Sequence, residues 1–192
     1  AVTGTLTIGN NLAGSGYAGT QRVVYATTAG TDQIGNVTVN VNHGTTLDLN
    51  GKNDTVGAIN MTGGAVTSGT GTLTLGGTLT YNVGGQAVIN GNLGLGAART
   101  IAVNDGASTN DLVINATISG AFALTKSNVA GTLVLNGANN YTLGTTLQGG
   151  VLALGNKAAL GTGTLTFNTN SNKTLRAEGI DLTGADAIAN AW

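Results

Sequence analysis

Residues 131–167 read GTLVLNGANNYTLGTTLQGGVLALGNKAALGTGTLTF. Three short runs in this stretch, Thr132–Leu135, Gly150–Leu154 and Gly163–Phe167, place Leu, Val or Phe at every second position. Each is about one strand long, and period two is the signature of a strand with one buried face. Gly, Asn and Thr fill the gaps. None of these gaps is a two-residue hairpin loop, and no helix-length apolar stripe intervenes. A chain that alternates strand and corner in this way is predicted to coil into a parallel β-solenoid, with inward residues stacked on like residues of the turns above and below.

Outward from this stretch the same texture continues. Gly71–Leu75 and Gly77–Tyr81 read GTLTL and GTLTY, and the GTL core recurs at Gly4, Gly131 and Gly163. Arg22–Thr27, Asn36–Val41, Thr45–Leu49, Val56–Met61, Ala65–Thr67, Ala87–Asn90, Leu93–Leu95, Thr100–Val103 and Asp111–Asn115 read as further strands. Thr174–Ala177, Ile180–Leu182 and Ala187–Trp192 follow after residue 167. Asn50-Gly51 marks a turn, because both residue types tolerate positive φ. Residues 10–22, Ala29–Gly35 and Asp105–Asn110 read as polar loops. No segment shows helical periodicity beyond a single turn at Lys157–Leu160 and a weak stretch at Ala185–Ala191, which is read as strand. At about 20–25 residues per turn, the chain is predicted to hold eight or nine coils. Leu6, Leu47, Leu49, Leu73, Leu75, Leu133, Leu135, Leu152 and Leu154 are the predicted inward residues.

Two stretches resemble the autotransporter-associated β-strand repeat of bacterial surface proteins. The first runs Gly131-Thr-Leu-Val-Leu, Gly137-Ala-Asn139-Asn-Tyr141-Thr, Gly144-Thr-Thr146, Gly150-Val-Leu152-Ala-Leu154 and Ala159-Leu-Gly161-Thr-Gly163. Asn140 stands where the family usually has Thr, and Leu143 where it usually has Gly. The second covers 45–75, TTLDLNGKNDTVGAINMTGGAVTSGTGTLTL. The resemblance implies the β-helix of a passenger region and a cell-surface or secreted setting. Together with the rule that crossovers are right-handed, it implies a right-handed coil. It implies little about chemistry, since the repeat is scaffold.

Composition narrows the function classes. Of 192 residues, 8% are charged and 4% aromatic, 33 are Gly, and Pro and Cys are absent. A chain without Pro is consistent with nearly every residue lying in or near a hydrogen-bonded ladder. A net charge of −1 leaves no electrostatic footprint for nucleic acid or anionic lipid. No apolar run approaches the roughly 18 residues of a spanning helix, and the strands are short and poor in aromatics for a transmembrane barrel. Residues 1–10 hold no basic start and no apolar stretch, so a targeting segment is expected outside this sequence. Neither Ala1-Val2 nor Ala191-Trp192 is a polar cap. The expectation is a single segment over 1–192, part of a longer rod or a unit that stacks on copies of itself.

The search for chemistry yields no catalytic, cofactor-binding or metal residues. His43 lacks a neighbouring nucleophile and is expected at a strand corner. The pairs Asp48/Asp54, Asp105/Asp111 and Asp181/Asp186 fall in Asn- and Gly-rich turns, where Asp commonly caps its own backbone. There is no DxDxDG or GGxGxD loop, and Asn104-Asp105-Gly106 alone is not a calcium motif. Patterns such as Gly94-Leu-Gly96 and Gly161-Thr-Gly163 precede no helix and are not phosphate loops. The sequons at Asn36, Asn53, Asn60, Asn115, Asn140 and Asn172 are ordinary in an Asn- and Thr-rich chain. Tyr17, Tyr25, Tyr81 and Tyr141 could form a sugar-binding stripe if aligned, but are expected singly, at corners or in the core. Asn10-Asn11, Asn139-Asn140 and Asn168–Asn172 are expected at corners, where stacked amides can form ladders. Outward Thr gives a flat hydroxyl surface with an ice-binding look, although its Thr-x-Thr pairs do not recur at fixed spacing.

The sequence therefore predicts a non-catalytic rigid stalk, adhesin scaffold or self-stacking extracellular filament subunit on the bacterial cell surface or outside it. Its partners would be flanking coils or copies of itself. A face that binds carbohydrate or a host receptor is the alternative, and a polysaccharide-lyase-type enzyme on the same fold a more remote one.

Overall fold

The computed structural model describes residues 2–9, 21–28, 30–127, 130–168, 171–184 and 187–191. Every strand pair in it is parallel, as expected for a coil in which each strand lies on its counterpart one turn earlier. The first coil carries β1 (Leu6–Ile8) and β2 (Gln21–Val24), and the second β3 (Val39–Val41), β4 (Thr45–Asp48) and β5 (Asp54–Val56). The third has β6 (Ile59–Met61) and β7 (Gly64–Leu75), the fourth β8 (Leu79–Tyr81) and β9 (Ala87–Leu95). The fifth has β10 (Arg99–Val103), β11 (Leu112–Ile114) and β12 (Thr117–Ser119), and the sixth β13 (Leu124–Lys126) and β14 (Thr132–Leu135). Then come β15 (Thr145–Leu147) with β16 (Gly150–Leu154), and β17 (Leu165–Phe167) with β18 (Lys173–Ala177).

These strands form walls. The first is an eight-stranded sheet in the order β1-β3-β6-β8-β10-β13-β15-β17, and the second runs from β2 through β4, β7, β9, β11, β14 and β16 to β18. A shorter third wall consists of β5, the second halves of β7 and β9, and β12. Between its first and eighth rungs the chain makes about seven turns of a parallel β-solenoid, slightly fewer than the eight or nine coils predicted. One reason is that the first turn is long: Thr7 and Asn40 sit on neighbouring rungs yet 33 positions apart, whereas Asn40 and Asn60 are 20 apart.

The corners differ from the sequence reading in detail. Val56–Met61, expected as one strand, is two, β5 and β6, turning at Gly57. Ala65–Thr67 and Gly71–Leu75 are one bent strand, β7, with a register break between Thr67 and Thr72. Ala87–Asn90 and Leu93–Leu95 likewise merge into β9. Ile180–Leu182 is not a strand, and neither is 187–191. That last stretch instead lies against the coil before it, with Leu165 N donating to Ala191 O at 2.9 Å and Asn190 Nδ2 donating to Gly161 O at 3.2 Å. Ala1 and Trp192 lie outside the described residues.

The core is a set of columns along the axis. Leu112, Leu133 and Leu152 stack in one, and Ile114, Leu135 and Leu154 in the next. All six are fully buried. All the predicted inward leucines are buried except Leu6, which is half-buried and packs on the core edge. The GTL repeat now has a physical cause. At Gly71, Gly131 and Gly163 an added Cβ would overlap backbone atoms of the preceding coil, at Lys52, Asn104 and Gly144 respectively. Glycine admits the close crossing at the corner, and the Leu of the motif turns inward (Leu73, Leu133, Leu165). Gly4 is the exception, with open space around it and φ +90.

Candidate functional site

Alternation in each strand sorts side chains to the interior or the surface. In the first wall the outward residues are Thr7, Asn40, Asn60, Thr80, Thr100, Ala102, Thr125, Thr146 and Thr166. None of these is ionisable, so hydroxyls and amides dominate this face; Arg99, at the start of β10, is half-buried and donates from Nε to Leu75 O (2.8 Å). Thr100, Thr125, Thr146 and Thr166 are in register on four successive rungs. Their unequal spacing in sequence concealed this alignment.

Over the first four rungs of the same wall lies a polar groove of about 620 Å³. Thr7, Asn40 and Asn60 form its floor, and Asn42, Thr62 and Asn82 its corner wall. The amides are ordered by one another. Asn40 Nδ2 donates to Thr7 Oγ1 (3.2 Å) and Asn60 Nδ2 to Asn40 Oδ1 (2.9 Å). Asn42 Nδ2 donates to Gly9 O (2.8 Å), and Thr62 Oγ1 donates to Asn42 Oδ1 (3.4 Å).

The second wall carries its own amide ladder, Asn90–Asn115–Asn136. Ladders thus exist; of the Asn runs expected to form them, only Asn139-Asn140 lies wholly within the described residues. Asn139 is buried and ties two coils through backbone, accepting from Ile118 N (2.7 Å) and donating to Ala159 O (2.6 Å). Asn10-Asn11 lies outside the described residues. On the same wall Val134 and Ala153 point away from the core yet are 1% and 0% exposed. Nearby, a clasp links the 105–110 loop to the last coil. Arg176 Nη2 donates to Asn110 Oδ1 (2.6 Å), Asn110 Nδ2 donates to Glu178 Oε1 (3.0 Å), and Arg176 pairs with Glu178 (2.8 Å).

The carboxylates do not converge. Asp48 accepts from Asn50 N (2.7 Å), the Asx turn expected of it, and pairs with Arg22. Asp54 is buried rather than a surface turn cap: its Oδ2 accepts from the Tyr25 hydroxyl and from Gln33 N and Ile34 N (2.9 and 3.0 Å). Asp111 is also buried and accepts from Gly106 N (2.9 Å) and Thr132 N (2.8 Å). Asp105 and Asp181 are exposed, and Asp186 lies outside the described residues. His43 is an exposed corner residue between β3 and β4. Among the described residues no three His, Asp or Glu side chains gather as a metal site would require. Tyr25, Tyr81 and Tyr141 are each buried and form no stripe, and Tyr17 is outside the described residues.

Lys126 is the residue that sequence reasoning missed. It stands in an inward column between Ile101 and Leu147 and is 1% exposed. Its Nζ donates to Gly149 O at 3.0 Å. Burial lowers its ammonium pKa to about 8, with the charge of Asp111 opposing the shift. The signal was available, because Lys126 lies two residues beyond the inward Leu124. Burial raises the phenol pKa values of Tyr25, Tyr81 and Tyr141, and at Tyr25 the hydrogen bond and charge of Asp54 add to the rise.

No helix among the described residues is long and apolar enough to cross a membrane. No family model matches the chain, and no solved structure matches it. The chain is similar to part of the adhesin BmaC autotransporter of Brucella suis biovar 1 (strain 1330), with 38% identity over 143 residues. The match covers 68% of this chain and 4% of that much longer protein. The parallel coil and this likeness agree: the chain is a parallel β-solenoid similar to part of an autotransporter adhesin, consistent with the β-helix of a passenger region.

Proposed function

We propose that this β-helix is a non-catalytic structural element of a bacterial cell-surface or secreted protein, a rigid stalk or scaffold that holds adhesive surface away from the cell. The observation that carries this reading is the continuity of the ladder. Eight rungs of the first wall run without interruption, and apolar columns fill the interior from one coil to the next. Each coil is thereby tied to its neighbours by backbone hydrogen bonds, the arrangement suited to resisting load along a rod. The adhesin likeness supports the surface setting. Flanking coils or further copies of the chain are the natural partners for such a rod.

Single-molecule pulling from the two ends tests this. A load-bearing coil should peel in discrete steps. One coil of 20–25 residues releases roughly 70–85 Å of extended chain. Smooth extension without force peaks would contradict the stalk. A polysaccharide-cleavage activity that survives purification and is lost on substitution of Asp54 or Asp111 would contradict the non-catalytic reading.

A further inference from the structure

We propose that the groove over the first four rungs, between the first wall and its corner, binds a neutral polysaccharide laid along the rod axis. The donor set selects the ligand class. Among the described residues no Lys or Arg lines the groove to hold a phosphate, sulfate or carboxylate, and no Asp or Glu to hold a cation. Amides and hydroxyls line it instead, and these both donate and accept, matching the hydroxyls of a neutral sugar. At about 620 Å³ it has the size of an ordinary ligand site.

The groove also has unused bonding capacity at one end. The ladder has a direction, since each amide nitrogen points to the coil before it: Asn60 to Asn40, and Asn40 to Thr7. Among the described residues the Asn60 side-chain carbonyl oxygen at the end of this chain accepts no hydrogen bond, and the Asn82 side-chain amide on the next rung makes none. The ladder fixes the floor in one conformation, which lowers the entropy lost on binding. Rungs recur at about 4.8 Å, close to the length of one sugar ring in an extended chain. Successive rings can therefore meet successive amides. The second groove, on the third wall, contains Asp32 and Asp54 and lacks this neutral character.

Affinity electrophoresis of the whole chain in gels containing a soluble β-glucan, a galactomannan or glycogen tests the proposal, with hyaluronan and heparin as anionic comparisons. At least one neutral polymer should retard the protein, and Asn82→Leu should weaken that retardation about tenfold or more. The Asn82 side chain makes no hydrogen bond to the described residues, so the variant should keep its circular dichroism spectrum. Asn82→Asp, which removes the donor at constant volume, should weaken binding in the same direction. Thr166→Leu, on the same wall but outside the groove, should bind as the parent does. No retardation by any neutral polymer, retardation only by the anionic ones, or parental binding by Asn82→Leu would each overturn the proposal. The pulling experiment reads the rod separately, so the stalk can stand while this groove fails.

Discussion

The side-chain amide of Asn115 donates to the side-chain carbonyl of Asn90, one coil earlier, at 2.9 Å, and its own carbonyl accepts from Asn136, one coil later, at 2.8 Å. One residue thus joins three coils from outside, in addition to the backbone ladder. Asn115→Ala removes both bonds at an exposed position. Net contributions of about 0.5–1.5 kcal/mol per bond, taken in the lower part of that range because the site is exposed, predict a loss of roughly 1–2 kcal/mol. For a chain of this size that lowers Tm by about 2–8 °C, measurable by thermal circular dichroism. An unchanged Tm would mean that the ladder follows the fold and does not stabilise it.

Leu133 sits between Leu112 and Leu152 in a fully buried column. Leu133→Ala should cost about 2–5 kcal/mol through lost burial and the cavity left behind. Leu133→Asp places an unpaired charge in the same column and should prevent folding or shorten the rod. Chemical denaturation of the first variant and proteolysis of the second check this. A parental melting point for Leu133→Asp would show that the residue does not point inward.

Gly131→Ala tests the cause assigned to the GTL repeat. Its Cβ would overlap the Asn104 carbonyl oxygen, so one coil must shift against the next. Overpacking of this kind costs about 1–3 kcal/mol. Gly30→Ala, where nothing lies within 4 Å and φ is not positive, should be nearly neutral. Equal denaturation midpoints for the two variants would remove the close-crossing explanation.

Lys126 gives the rod a pH dependence with a definite sign. Its folded pKa, about 8, lies below the unfolded value of 10.5. Between these values the unfolded chain binds more protons, so stability rises with pH across this window, and below pH 8 the penalty is fully present. The rise should be no more than about 3 kcal/mol. The phenols act in the opposite sense. Their folded pKa values are raised, so above pH 10 the unfolded chain ionises first and stability falls. Urea denaturation from pH 7 to 11 should show a maximum near pH 10. Lys126→Met should abolish the rise and leave the fall. A flat profile for the parent would contradict the buried ammonium.

Much of the solenoid is visible in the chain because its rules are local. Leu133 and Leu135 alternate with residues that point away from the core, Asn50 and Gly51 take the positive φ (49 and 77) their turn requires, and GTL marks corner, outward position and core in three letters. What depends on register between coils was not visible. Thr100, Thr125, Thr146 and Thr166 align only because the corners absorb unequal coil lengths. The ladder amides sit at Asn90, Asn115 and Asn136, one per coil, whereas the adjacent pair Asn139-Asn140 cannot place both amides in one column. Lys126 was masked by its residue type: strand parity puts it inside, while charge suggests outside. The clasp from Asn110 to Arg176 and Glu178 joins residues 66 and 68 positions apart, and no local pattern signals it.

The most direct test of the rigid rod is the distance between its first and eighth rungs. The chain has no cysteine, so Thr7→Cys and Thr166→Cys can carry a single pair of spin labels on the outward face of β1 and β17. Seven rung steps of about 4.8 Å separate them, and pulsed electron resonance should give one narrow distance distribution near 34 Å. A broad or bimodal distribution, or a mean far from that length, would contradict a continuous rigid β-solenoid.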